Sequence, residues 1–355
     1  MPAVWDLPDF DDHEGVHLFR DAAAGLTAVI AVHSTHLGPA AGGARYWHYA
    51  KPEQAITDAL RLSRGMSYKN AMADLPMGGG KGVILADEGA PIKTPALLAA
   101  FGRAIESLGG RYVTAEDVGM SDADMVAIAR ETRHVSGLPV ASGQAGGDPG
   151  PLTALGVYMG IRAAIKRGLG KDSAQGVHIA IQGVGSVGGG VARRLAADGA
   201  RLTLADVNMA RAKALADELG AEYADSAAIM SIQADVLSPN ALGAILTADS
   251  IAALNVPVVA GGANNQLATA ADGQRIHDRG IVYAPDYVIN AGGIINVALE
   301  YLGSNGGVNG GRAEVEARIG RIPERLEAIW DESAVRNRPA SDVADAMARA
   351  LIGRG

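Results

Sequence analysis

The chain contains no cysteine, which excludes disulfides, thiolate zinc sites, iron–sulfur clusters and cysteine nucleophiles. Its eight histidines show no HExxH spacing, so no metal centre is expected and each histidine reads as structural or superficial. Nowhere is there an uncharged apolar run of roughly eighteen residues, the length needed to cross a bilayer. The opening Met-Pro-Ala-Val-Trp-Asp also lacks the basic and apolar regions of a signal peptide. No membrane partner and a cytoplasmic location follow as expectations. Blocks of basic residues are missing too. With a formal net charge of -8 and an isoelectric point of about 5.5, nucleic acid is a poor partner. The 47 glycines gather in short groups rather than at a fixed period, which argues against a repeat architecture.

What is present suits a folded protein. Hydrophobic residues make up 48% of the chain and charged residues 20%, with mean hydropathy +0.11, so long disordered stretches are not expected. A length of 355 residues is enough for two ordinary domains. Residues 26–33 read as a strand, and residues 52–66 have apolar side chains at helical spacing with Pro52 in the first turn. A triple glycine and a short apolar run, 82–86, come next. Residues 95–108 read as a helix, 111–114 as a short strand, and 122–131 as a helix with Ser121 as its N-cap candidate. The polar, glycine-rich residues 139–151 then interrupt the pattern and read as a hinge or interdomain loop. Beyond a long helix at 153–167, the rhythm becomes βαβ: strand 177–182, helix 190–198, strand 202–205, helix 210–219. Apolar segments 234–237, 256–260 and 281–284 fit further parallel strands. The fold class is therefore α/β: an N-terminal α/β substrate-binding domain plus a Rossmann-like dinucleotide-binding domain, with a cleft between them. The expected boundaries are 1–138, 139–330, and a helical segment 331–355 packing back on the first domain.

Gly183-Val184-Gly185-Ser186-Val187-Gly188 satisfies GxGxxG, a weak signal alone in a glycine-rich chain. Here it follows an apolar strand and opens a helix, and a second strand then ends at Asp206. The first glycine permits the turn, the second lets backbone approach a pyrophosphate, and the third lets helix and strand close together. Asp206 stands where a carboxylate accepts hydrogen bonds from an adenosine ribose and repels a 2′-phosphate, which favours NAD over NADP. Arg211 and Lys213, close by, could offset that repulsion.

Two lysines frame the stretch from Lys69 to Lys81, which ends Met77-Gly78-Gly79-Gly80-Lys81. An ammonium among apolar residues and glycines loses hydration, which is expensive without an anionic or reactive partner. Lys69 follows the helix and reads as a charged anchor for a substrate carboxylate. Lys81 follows the glycines, which would bring its backbone close to a ligand, and a partly buried amine has its pKa lowered towards neutrality. Glu116 and Asp117 leave the short strand, and either could exchange protons with an amino group.

At these residues the chain resembles the amino acid dehydrogenase family, the group containing leucine, valine, phenylalanine and glutamate dehydrogenases, with the nearest likeness to the leucine branch. Four segments carry the resemblance: Leu37-Gly38-Pro39-Ala40-Ala41-Gly42-Gly43-Ala44-Arg45, residues 66–83, Thr114-Ala115-Glu116-Asp117-Val118-Gly119, and residues 282–293 with Asp286 to Gly293. It implies oxidative deamination of an L-amino acid to a 2-oxo acid and ammonia with reduction of NAD, and the reverse reaction. Lys69 then corresponds to the carboxylate-binding lysine, helped by backbone at Gly42 and Gly43 and by Asn264 or Asn265. Lys81 corresponds to the lysine that activates water, and Asp117 to the acid at the substrate nitrogen. Asn290 would align substrate and nicotinamide, Thr153 would lie near the nicotinamide amide, and Asp235 would join the cofactor-binding residues. Closure of the domains around the ligands is also implied.

The family's side-chain pocket maps to Leu37, Ala115, Ile294 and Val297, aliphatic or small and without charge, which disfavours glutamate. Branched aliphatic amino acids are the expected substrates. The chain departs from the leucine pattern at the glycine-rich residues 142–149, at Ala234, where a cysteine is common, and at Ile294, which replaces a smaller valine and narrows the pocket. An aromatic amino acid dehydrogenase and a non-catalytic NAD-binding regulator are the rival readings. A homo-oligomer, dimer or octamer, is implied by the resemblance.

Overall fold

A computed structural model describes residues 3–89, 93–140, 143–305 and 311–355. Ala141 and Ser142, part of the expected hinge, lie outside the described residues. The chain forms two compact units. One comprises Met1–Asp148, Ile294–Val315 and Ala348–Gly355, the other Pro149–Gly293 and Glu316–Met347. This division differs from the expected boundaries, for a physical reason. Glu300 accepts the backbone N–H groups of Gly137 and Leu138, and Asn296 exchanges two hydrogen bonds with the backbone of Gly146. Those bonds tie the stretch after residue 138 to the first unit.

The first unit is built on β1 (Gly15–Asp21), β2 (Leu26–Ser34), β3 (Ala40–Ala41), β4 (Ala44–Trp47), α1 (Pro52–Met72), β5 (Gly78–Leu85), α2 (Pro95–Glu106), β6 (Tyr112–Val113) and α3 (Asp122–Ile128). The sheet runs β1-β2-β5-β3-β6, and β4 also pairs with β5. Strand alternation divides its apolar residues between two faces. Val29, Ala31 and Val83 meet Ala55, Ala59 and Leu60 of α1. On the opposite face Ile30, Ile84 and Tyr112 meet Leu98, Phe101 and Met125. Buried on both faces, β2 reads as a continuous apolar run. Thr94 caps α2 by accepting from Leu97 N–H, and Ser121 caps α3 as anticipated.

Two local expectations change. The helix expected to end at residue 66 continues to Met72, so Lys69 lies in its last turn rather than after it. The triple glycine is not a ligand loop: it forms the first residues of β5. A Cβ on Gly79 would sit 2.0 Å from Ser67 N of α1, and one on Gly78 would sit 1.9 Å from Ser34 O. These glycines let a helix and a neighbouring strand approach β5.

The second unit contains α4 (Gly150–Leu169), β7 (His178–Gln182), α5 (Ser186–Ala197), β8 (Arg201–Ala205), α6 (Met209–Leu219), β9 (Glu222–Tyr223), β10 (Val236–Pro239), α7 (Ala248–Ala253), β11 (Val258–Val259), α8 (Ala270–Asp278), β12 (Val282–Tyr283) and α9 (Asp286–Ile289). Its sheet is parallel throughout, ordered β12-β11-β10-β7-β8-β9. The strand order reverses between β7 and β10, a topological switch point of the kind that holds dinucleotides at the carboxyl ends of the strands. The chain closes with α10 (Gly292–Ser304), α11 (Arg312–Ile319), α12 (Ile322–Arg336) and α13 (Ala340–Leu351). From Ile294 onward α10 belongs to the first unit. Among the described residues no helix is long and apolar enough to cross a membrane.

Candidate active site

Lys81 lies on β5 opposite Ala31, with the parity that points Gly79 and Val83 at α1. It is 5% exposed, and its Nζ donates to Asp117 Oδ2 at 2.8 Å. The same Oδ2 accepts Arg45 Nε at 2.9 Å from β4. Arg45 NH1 in turn donates to Asp58 Oδ2 on α1 at 2.7 Å. Asp58 is held by the Tyr49 hydroxyl at 2.7 Å and by Arg61 at 3.1 Å.

These contacts set the protonation states. Burial pushes the Lys81 ammonium below the usual lysine range, against the pull of Asp117, and Arg45 adds to the lowering. Burial alone would raise Asp117, but Lys81 and Arg45 outweigh it and hold the carboxyl below its ordinary value. Of the two acids left open by the sequence, Asp117 is the one paired with the lysine. Glu116 turns towards Gly137, and burial together with the acids around it raises its pKa.

Lys69, half-buried, shares α1 with Asp58 on the sheet face that carries Lys81. Gly42 and Gly43 are packed too closely for any side chain: a Cβ would lie 1.9 Å from Gly80 O or 2.3 Å from Glu116 O respectively. Gly42 N–H already donates to Val113 O at 3.1 Å, which leaves Gly43 as the better backbone donor.

Ala115, Ile294 and Val297 line a small cavity of ≈ 10 Å³ with Gly42, Met77 and Tyr301. That volume is room for about one water. Ile294, Val297 and Tyr301 follow the spacing of one helix face. Polar groups in its wall are already engaged, since Tyr301 OH meets His134 Nδ1 at 2.9 Å and Ser136 Oγ donates to Thr114 O. Leu37, half-buried, is not part of this lining, contrary to expectation.

In the second unit Gly183, at φ +84, turns the chain out of β7, and a Cβ there would lie 2.6 Å from Ala241 Cβ. Gly188 is pressed against Gly183 O, whereas a Cβ on Gly185 would meet nothing within 4 Å. Gly185 and Ser186 are exposed at the start of α5. Open space before a helix N-terminus is what a pyrophosphate requires. Asp206 ends β8 and is 7% exposed. Its oxygens accept Val184 N–H at 2.9 Å and Asn208 N–H at 2.8 Å, and Arg211 stands 3.8 Å away. Each oxygen keeps a further lone pair for a ribose hydroxyl. Asn290 donates to Gly262 O and Asn264 Oδ1, while its own Oδ1 is buried without a protein partner. An orphaned acceptor beside an open glycine turn fits a bound dinucleotide.

Models of two family domains match the chain: Glu/Leu/Phe/Val dehydrogenase, dimerisation domain, over residues 13–134, and Glutamate/Leucine/Phenylalanine/Valine dehydrogenase over residues 204–351. Leucine dehydrogenase of Thermoactinomyces intermedius is 44% identical over 98% of this chain and 93% of the relative. Valine dehydrogenase of Streptomyces virginiae is 48% identical over 83% of each. The chain belongs to the Glu/Leu/Phe/Val dehydrogenase family. Among solved structures, L-tryptophan dehydrogenase from Nostoc punctiforme superposes with a TM-score of 0.83 at 36% identity, covering 96% of both chains.

For this family member the structure brings together Lys81 with Asp117, Ala115 with Ile294 and Val297, and Asn264 with Asn290. Thr153 lies on the first turn of α4, its hydroxyl donating to Pro149 O. Asp235 is a correction. It precedes β10 at the amino ends of the strands, where its N–H donates to His178 O and its side-chain Oδ2 accepts His178 N–H. The glycine turn lies at the carboxyl ends, about 13 Å away along a four-residue strand. The residue at the turn is instead Asn240, whose Oδ1 accepts Gly262 N–H and whose Cβ lies beside Gly188. Arg45 and Asp58 were missed as site residues. Arg45 ends the segment Leu37 to Arg45, but no local spacing links it to its two carboxylate partners, Asp58 and Asp117.

Proposed function

We propose that this dehydrogenase oxidatively deaminates branched aliphatic L-amino acids, namely leucine, valine and isoleucine, to the 2-oxo acid and ammonia with NAD, and catalyses the reverse reductive amination. The observation that carries this reading is the buried 2.8 Å pair of Lys81 and Asp117 in the same unit as a small uncharged cavity. Membership of the family supplies the reaction class, and leucine and valine dehydrogenases are among its relatives.

In this scheme Lys69 pairs with the substrate carboxylate, assisted by Gly43 N–H and Asn264. Asp117 Oδ2 is taken up by Lys81 and Arg45, so in this scheme Oδ1 is the oxygen that would serve the substrate nitrogen. Gly183 to Gly188 would hold the pyrophosphate, Asp206 the ribose, and Thr153 and Asn290 the nicotinamide amide. A bound nicotinamide would supply the hydride acceptor for Cα, once the substrate ammonium has lost a proton to become the amine. Neutral Lys81 takes a proton from the water that attacks the iminium carbon, forming the carbinolamine. Asp117 then relays the carbinolamine hydroxyl proton to nitrogen as the C–N bond breaks, the carbonyl forms and ammonia leaves. Lowering of the Lys81 pKa by burial makes its neutral form accessible.

The cavity selects the side chain. Its uncharged wall has no partner for a glutamate carboxylate, and the bulk of Ile294 and Val297 beside Tyr301 favours a compact aliphatic side chain over an indole or phenyl ring. The buried carboxylate of Asp206 favours NAD over its 2′-phosphorylated form. Self-association is part of the same reading, and light scattering measures it. The decisive experiment is NADH formation across leucine, valine, isoleucine, phenylalanine, tryptophan and glutamate. Higher kcat/KM for phenylalanine or glutamate than for all three branched substrates overturns the proposal.

A further inference from the structure

Asp117 has two cationic partners on one oxygen, and only one of them takes part in the scheme above. The other, Arg45, is gripped at both ends of its fork, with Nε on Asp117 and NH1 on Asp58. Asp58 is itself fixed by Tyr49 and Arg61. We infer that Arg45, seated by Asp58, is a positioning residue that keeps the negative charge on Asp117 while Lys81 gives up and retakes its proton. The inference rests on the proposed dehydrogenase activity and deepens it.

The reason is electrostatic. If Lys81 and Asp117 faced each other alone, neutral Lys81 would leave a buried carboxylate unpaired, a costly state that draws the proton back. Arginine stays charged throughout the working pH range, so Asp117 keeps a partner in both states of Lys81. Charges alternate from Lys81 through Asp117, Arg45 and Asp58 to Arg61, so each carboxylate has a cation on either side. Other elements packed against β5 supply few competing charges. On β2, His33 is held neutral by burial and by Arg354. On α1, Lys69 is the proposed anchor of the substrate carboxylate, and Glu116 after β6 lies against Gly137. A lysine at position 45 would keep the charge but could not bridge two carboxylates with a planar fork.

The test compares the unmodified chain with Arg45→Met, Arg45→Lys and Asp58→Asn. The readouts are kcat for leucine oxidation across pH, KM for leucine, the NAD dissociation constant and the melting temperature. Arg45→Met removes a cation that helps Lys81 lose its proton. The alkaline rise of kcat should therefore move up by about one pH unit, with about tenfold loss of kcat at a fixed pH on that limb. NAD affinity should stay within twofold. Arg45→Lys should fall between, and it carries the test if Arg45→Met does not fold; Asp58→Asn also removes an anion that raises the Lys81 pKa, so its limb should move less than that of Arg45→Met. A purely structural role would lower the melting temperature and leave the limb in place, and that result overturns the inference. No oxidation of any amino acid by the unmodified chain overturns the proposed function and this inference with it. An active unmodified chain with an unmoved limb in the folded variants overturns this inference alone.

Discussion

Asn290 Nδ2 donates to Asn264 Oδ1 at 2.8 Å, which separates two adjacent asparagines that the sequence leaves equivalent. The side chain of Asn264 is directed to the residue proposed to align the ligands. Asn265 serves the backbone instead: its φ is 51°, and its carbonyl accepts Ala244 N–H at 2.6 Å. Asparagine tolerates that left-handed conformation better than alanine does. Asn264→Ala should raise KM for leucine about tenfold, in line with a hydrogen bond to a charged group worth about 1.5–3 kcal/mol. Asn265→Ala should leave KM within twofold while costing about 1 kcal/mol of stability. Steady-state kinetics and urea unfolding of the two variants decide the matter, and a larger KM change for Asn265→Ala would reverse the assignment.

Lys81 and Lys69 should fail in different ways. Lys81→Ala removes the proposed proton acceptor, so kcat should fall by about 10²–10⁴ with little change in NAD affinity. Lys69→Ala removes an anchor used in ground state and transition state alike, so KM should rise with a smaller effect on kcat. Near-normal turnover by Lys81→Ala would remove the residue from the mechanism. Binding of NAD by an inactive Lys81→Ala variant, beside an active unmodified chain, would rule out a purely regulatory NAD-binding role.

Side-chain choice should respond to α10. Ile294 contributes bulk to a wall that leaves only ≈ 10 Å³ free. Ile294→Ala should raise kcat/KM for phenylalanine relative to valine by at least about tenfold, since each methylene in such a pocket is worth about 1–3 kcal/mol. A substrate panel on the variant measures this directly, and an unchanged phenylalanine-to-valine ratio would place the selective wall elsewhere.

Features encoded locally were legible in the sequence. The Rossmann half was readable because strand, glycine turn, helix and acid follow within one continuous stretch, and the structure places Gly183, Gly188 and Asp206 together. The pairing of Lys81 with Asp117 depends on how β5 and the segment after β6 come together, and the resemblance rather than any spacing pointed to it. Three things were not legible. The triple glycine looks the same in one dimension whether a ligand or a helix approaches it, and only the position of Ser67 shows that α1 fills the space. Asp235 and Asn240 flank the same strand, so choosing the cofactor end requires knowing that β10 runs parallel to β7. The role of α10 in the first unit was hidden because one continuous helix spans the unit boundary between Gly293 and Ile294.

Acid should destabilise this protein through His33. The ring is fully buried and meets Ser67 Oγ through Nδ1 at 2.7 Å, while Arg354 NH1 donates to Nε2 at 2.7 Å. Because Nε2 must accept from Arg354, the neutral ring carries its proton on Nδ1. Burial, reinforced by Arg354 and His13, lowers the pKa from 6.5 to about 3, against the attraction of Asp11. The unfolded chain therefore binds a proton at His33 below about pH 6.5, and the folded chain does not until about pH 3. Stability rises with pH across that window and is lost as pH falls through it. One site with this shift accounts for about 2 kcal/mol between neutral pH and pH 5. His13, His134 and His178, also lowered chiefly by burial, add in the same direction. His33→Gln keeps a donor and an acceptor but cannot titrate, so its loss of unfolding free energy from pH 7 to pH 5 should be smaller than that of the unmodified chain by about that amount. Urea unfolding at the two pH values measures both losses, and equal losses would show that His33 is not the acid-sensitive site.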